Sequence, residues 1–260
     1  FERGGRYFFT KRLASQDLPV LAMRRGLDGS DEVLVDPHPL SPDHTVSVSF
    51  LDVSNDGGLL AYGTRQGGED ETTVKLLDLG TMQELPDRLP RARYFGLSLL
   101  PDRSGLYYSR FGQEGSRVYF HRMGADPASD TLLFGEGFGP EKIISASLSE
   151  DGRWLLIVVY HGSATDQSEV YVQDVAGHGP ITPIVKDVKA YFSPDLADDH
   201  LFMQTNWNAS NSRILDVDLR NPARDRWKEI IPERKDAVLD GFSLVGGKIF
   251  VNYLKNVVSS

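Results

Sequence analysis

The side chains best able to move protons near neutral pH are six histidines, His38, His44, His121, His161, His178 and His200. They lie far apart, with no His-Glu-x-x-His or His-x-His pair, so the sequence offers no histidine metal site and the expected roles are on the surface and in turns. The chain has no cysteine, which removes thiolate zinc sites, disulfides and cysteine nucleophiles. A Gly-x-Ser-x-Gly nucleophile elbow is also missing. The run Gly135-Glu136-Gly137-Phe138-Gly139 has the look of a phosphate loop, but it lacks the full glycine pattern, is followed by Pro140 and precedes a strand, so it reads as a turn between repeats. The acidic turns Asn55-Asp56 and Glu150-Asp151 fall short of a calcium loop's ligand density and read as Asx-type turns. Asn208-Ala209-Ser210 is a formal glycosylation sequon, silent unless the chain is secreted.

Elements that would position these residues emerge from a repeat. Turn residues feed short β-rich runs five times: Ser54-Asn55-Asp56-Gly57 before Leu59–Gly63, Pro101–Gly105 before Leu106–Ser109, Ser149–Gly152 before Trp154–Val159, Ala197–His200 before Leu201–Thr205, and Val245–Gly247 before Lys248–Tyr253. Gly57, Gly105 and Gly152 stand 48 and 47 residues apart, and Gly247 lies 95 beyond Gly152. Within one copy, strands are expected around Ser47–Val53, Leu59–Thr64, Thr73–Leu79 and Met82–Leu85. Four antiparallel strands per repeat of this length predict an all-β fold, a β-propeller of four-stranded antiparallel blades. The predicted blades span 6–36, 46–86, 93–135, 142–187 and 189–232, with a partial sixth over 238–260. An orphan apolar strand in that last blade would be an aggregation edge, so the expectation is one incomplete propeller domain cut from a larger ring, rather than closure at five blades. Trp154, Trp207 and Trp227 are expected between blades.

Composition narrows the partners. In the 260-residue chain, 28 Lys and Arg against 37 Asp and Glu give a net charge of −9, the wrong sign for a broad phosphate-binding face, so neither nucleic acid nor an anionic membrane is an expected partner. The longest apolar run, Trp154–Tyr160, is far short of the about 20 residues of a spanning helix. The chain opens at Phe1 without a leader pattern and reads as beginning inside a longer one.

Several strings go beyond a generic propeller: Leu60-Ala61-Tyr62-Gly63, Glu84-Leu85-Pro86-Asp87-Arg88-Leu89, Leu148–Arg153, Thr205-Asn206 before Asn211–Leu215, Ile231-Pro232-Glu233 followed by Asp236–Leu239, and Tyr253–Val257. From Gly4 to Val257 the chain resembles the propeller domain of the prolyl oligopeptidase family. That resemblance implies a seven-bladed ring, here truncated after five blades and the start of a sixth, capping an α/β-hydrolase domain that is absent from this chain. It implies a serine peptidase that cleaves short peptides after proline, with the propeller admitting oligopeptides by size. The family's catalytic residues belong to the hydrolase domain, so no residue here is expected to be catalytic, and no cofactor or metal is implied. Matching local strings places three cavity-lining positions on Tyr94, Ile143 and Ser163. Tyr94 stands where the family often has Phe, and Ile143 where a flexible Met can occur; both could instead pack between blades. The implied partners are oligopeptide substrates and the parent chain's hydrolase domain, in a monomeric cytoplasmic enzyme, with the periplasm as the alternative compartment. The competing reading is a stand-alone propeller that binds a peptide or protein through its channel.

Overall fold

The computed structural model describes residues 1–163, 166–256 and, for the backbone alone, 258–259. Val257, the last residue of the resemblance, lies outside the described residues, as do Ala164, Thr165 and Ser260.

Six antiparallel sheets follow one another along the chain, each a meander in which neighbours in sequence are neighbours in space. The first holds β1 (Glu2–Arg3), β2 (Arg6–Lys11), β3 (Val20–Arg25) and β4 (Asp31–Val35). The second holds β5 (Val46–Val53), β6 (Leu59–Gln66), β7 (Thr73–Asp78) and β8 (Gln83–Glu84). The third comprises β9 (Arg93–Leu99), β10 (Gly105–Gly112), β11 (Gly115–Arg122) and β12 (Thr131–Phe134). The fourth comprises β13 (Ile143–Leu148), β14 (Trp154–Tyr160), β15 (Ser168–Asp174) and β16 (Thr182–Val185). The fifth contains β17 (Phe192–Ala197), β18 (His200–Thr205), β19 (Arg213–Asp218) and β20 (Lys228–Ile231). The sixth has three strands, β21 (Val238–Val245), β22 (Lys248–Lys255) and β23 (Val258–Ser259). The two-residue β1, which pairs Glu2 with Tyr7 and Arg3 with Arg6, gives the first sheet a strand ahead of the span expected for it. It is too short to carry an alternation signal.

One conformational device recurs in all six sheets. Two residues before the second strand, the backbone takes a left-handed φ, at Gly4 (+57°), Gly57 (+67°), Arg103 (+59°), Gly152 (+76°), Asp198 (+51°) and Gly246 (+56°). Gly105, matched to Gly57 by sequence, is therefore not its structural equivalent; Arg103 is. Gly105 opens β10 for another reason, since a Cβ there would lie 2.6 Å from the Phe120 ring and 2.7 Å from the His121 carbonyl oxygen. In the Ser-x-Asp-Gly copies the serine hydroxyl organises the turn. Ser54 Oγ donates to Asp56 at 2.6 Å and accepts from Leu59 N–H at 2.9 Å, and Ser149 Oγ donates to Asp151 at 2.6 Å and accepts from Trp154 N–H at 2.8 Å.

The described chain divides into two compact units, Phe1–Pro140 and Glu141–Ser260. In the first unit the second sheet buries both faces, as strand alternation requires of a middle layer. Leu60 and Tyr62 join Phe8, Leu21 and Met23 of the first sheet, while Leu59 and Ala61 join Leu97, Leu106 and Tyr108 of the third. Turns lock the layers at their ends: Arg6 Nη1 donates to Gly57 O at 2.5 Å, and Arg103 pairs with Asp56. In the second unit Trp154, Leu156 and Val158 pack with Phe192, Leu201 and Met203, and Trp207 and Trp227 lie against this core. Ser168 Oγ bridges the fourth and fifth sheets, donating to Phe192 O and accepting from Phe192 N–H, both at 2.8 Å.

Candidate functional site

The three positions singled out by sequence sit at the same end of their sheets, where the second strand passes to the third. In the first unit, Tyr94 near the start of β9 pairs with Arg110 at the far end of β10. A bulge between Ser109 and Arg110 aims Tyr94 along the Tyr108 and Tyr119 column, with ring centroids 5.8 Å from Tyr94 to Tyr108 and 5.3 Å from Tyr108 to Tyr119. Tyr94 is half-buried against the core between the second and third sheets, and its hydroxyl donates to Pro90 O. Burial pushes that hydroxyl well above the ordinary tyrosine pKa, so it remains a neutral hydrogen-bond donor. Tyr108 makes its own bond to Asp130 Oδ2 at 2.7 Å.

In the second unit, Ile143 opens β13 opposite Tyr160, half-buried, and Ser163 is exposed in the turn after β14, next to Gly162 with φ +117°. Ile143 and Ser163 thus share one end of the fourth sheet. Sequence reading passed over a polar cluster at this end. His161 Nε2 lies 2.8 Å from Glu169 Oε1, and Tyr171 donates to Glu169 Oε2 at 2.5 Å. Glu169 is only 7% exposed, and the only hint of it in the sequence is a carboxylate set just before the apolar run Val170-Tyr171-Val172. Burial and the bond to Glu169 raise the Tyr171 hydroxyl. Tyr160 and Tyr191 bring two more rings together, 6.3 Å apart. Ser168, beside Glu169, already spends its hydroxyl on Phe192, so it is not free to pair with His161. Aromatic faces with fixed hydrogen-bonding groups suit the holding of a peptide.

Comparison with known proteins gives these features a context. A family model described as the prolyl oligopeptidase N-terminal β-propeller domain matches residues 1–260. A prolyl endopeptidase of Elizabethkingia miricola is 30% identical over 271 residues, covering 100% of this chain and 38% of the relative. A dipeptidyl aminopeptidase BI of Pseudoxanthomonas mexicana is 25% identical, covering 100% of this chain and 38% of that protein. Among solved structures, one from a structural and mechanistic study of two prolyl endopeptidases superposes with a TM-score of 0.93 at 28% identity, covering 100% of this chain and 39% of the other. Prolyl oligopeptidase B of Galerina marginata, bound to a 35-residue substrate, shares the fold with a TM-score of 0.83 at 20% identity, over 98% of this chain and 40% of that one. The chain spans about two fifths of the length of these relatives. All-β, with antiparallel four-stranded sheets arranged as propeller blades, the chain belongs to the prolyl oligopeptidase N-terminal β-propeller domain family.

Proposed function

We propose that this chain is the non-catalytic propeller of a serine-type endopeptidase that cleaves short peptides after proline, and that it admits and positions the oligopeptide for a hydrolase domain in the parent protein. The observation that carries this reading is the family match along the whole chain. In support of it, aromatic rings and fixed hydrogen-bonding groups gather around Tyr94 and around Ile143, Ser163 and His161. In this reading Tyr94, Ile143 and Ser163 line the substrate cavity. The bond-breaking Ser, His and Asp belong to the hydrolase domain, and the parent protein works as a cytoplasmic monomer.

The reading is tested by assaying the parent protein on a short proline-containing peptide and on the same sequence embedded in a folded protein. Rapid cleavage of the first and none of the second is expected, with the 260-residue chain alone inert. Equal cleavage of both would remove the gating role. Hydrolysis by the isolated chain would overturn its non-catalytic assignment.

A further inference from the structure

The third sheet ends in a cleft of about 600 Å³ whose charged lining the reading above leaves unused. Two arginines form its inner part. Arg110 of β10 and Arg117 of β11 are direct cross-strand partners, so their side chains leave the same face of the sheet. Like charges set opposite each other destabilise a sheet. Here no compensating carboxylate oxygen lies within 4.0 Å of either guanidinium among the described residues. Arg110 is held over the Tyr119 ring, 4.8 Å from its centroid. Arg117 donates to the main-chain oxygens of Ser116 and Phe138 at 2.9 and 3.1 Å.

The wall over Arg117 is the glycine run that only superficially resembles a phosphate loop. Gly135 has φ +111°, and a Cβ on it would lie 2.7 Å from Ser116 O and 3.0 Å from Arg117 Cδ. Glycine is what lets this turn close on the arginine. The carboxylates that line the cleft, Glu114 and Glu136, are exposed, whereas both arginines are half-buried. Asp130 is taken up by His121 Nδ1 at 2.7 Å and by the Tyr108 hydroxyl.

We propose that this cleft is a carboxylate subsite of the peptide path, with Arg110 and Arg117 as its ligands. The inference rests on the chain being a substrate-facing propeller. Two guanidinium forks on one face suit the two oxygens of a single carboxylate. The exposed glutamates and the net charge of −9 disfavour polyanions. Either the C-terminal carboxylate of an oligopeptide or an Asp or Glu side chain within it supplies this chemistry.

Calorimetric titration of the parent protein with short proline-free peptides, which it is expected to leave uncut, tests the subsite apart from catalysis. Three versions separate the sources: a free acid, its C-terminal amide, and the amide carrying a terminal Glu. The free acid is expected to bind roughly tenfold tighter than the amide, and recovery by the Glu-bearing amide would assign the site to side-chain carboxylates as well. In Arg110→Gln/Arg117→Gln the three should bind alike and weakly, while the melting temperature holds or rises because a like-charge pair is gone. Equal binding of acid and amide to the unaltered protein, no binding of any version, or a preference that survives the double substitution would overturn the proposal. Failure of size exclusion in the cleavage assay would sink the gate reading and leave this contrast standing.

Discussion

His121 Nδ1 lies 2.7 Å from Asp130 Oδ1, with the imidazole wholly buried. Its other nitrogen is 3.2 Å from Asp87 Oδ1, which also accepts Gly124 N–H at 2.5 Å. Asp87 comes from the Glu-Leu-Pro-Asp-Arg-Leu string that carried much of the family resemblance, so that string has a physical role. It sends a carboxylate from beyond the second sheet into the third and fixes the imidazole beside the column of tyrosines.

Replacing His121 with leucine would leave two buried carboxylates without their shared partner. Removing one member of a buried charged network costs about 3–5 kcal/mol. His121→Leu is therefore expected to lower the urea midpoint steeply without altering the slope, whereas His200→Leu, at a ring that is 42% exposed beside Asp216, should change it little. Equal effects of the two substitutions would mean that the buried network contributes nothing special.

The turn at Gly57 makes a second expectation. Its φ is +67°, and a Cβ would lie 2.6 Å from the main-chain oxygen of Arg3. Gly57→Ala thus combines left-handed strain with a backbone collision, and a loss of at least about 2 kcal/mol is expected. Thermal unfolding of Gly57→Ala against Gly67→Ala, whose Cβ would meet nothing within 4 Å, separates the collision from the strain.

Much of this fold was legible because Ser-x-Asp-Gly turns carry their chemistry locally: Ser149, Asp151 and Gly152 act within a few residues of Trp154. At Pro101–Gly105 and Ala197–His200 the turn was legible but not the residue that takes the positive φ, which is Arg103 rather than Gly105 in one copy and Asp198 in the copy without a glycine. Pairings that exist only in the folded register hid the rest. Asp87 and His121 meet across 34 residues, and Arg110 faces Arg117 only once the register of β10 on β11 is known. Tyr94 could be placed on a strand but not aimed, because a bulge between Ser109 and Arg110 changes which neighbour it opposes.

That aim makes a test of Tyr94. Its hydroxyl donates to Pro90 O, and its ring packs against Tyr108. Tyr94→Phe keeps the ring and should cost about 1 kcal/mol of stability for one hydrogen bond, while leaving KM for short peptides within about twofold, less than 0.5 kcal/mol of binding. Tyr94→Ala removes the ring and should raise KM if the residue faces substrate. An unchanged KM in the alanine variant, with lowered stability, would assign Tyr94 to packing alone.

Asp31 supplies a pH signature. Hydrogen bonds from Lys11 and Arg24, at 2.6 Å each, hold its carboxyl below the ordinary aspartate value. A group with a depressed folded-state pKa stabilises the fold above its unfolded value, and that contribution is lost as pH falls through the lowered one. Asp31→Asn should therefore melt below the unaltered protein at neutral pH, by an amount that is level from pH 6 to 8 and closes on acidification below about pH 4, the unfolded aspartate value. The Lys11 and Arg24 side chains are exposed and that of Asp31 is partly so, so added salt should shrink the neutral-pH difference. A gap that persists unchanged into acid would show that shape and hydrogen bonding, rather than ionisation, account for what Asp31 contributes to the first sheet.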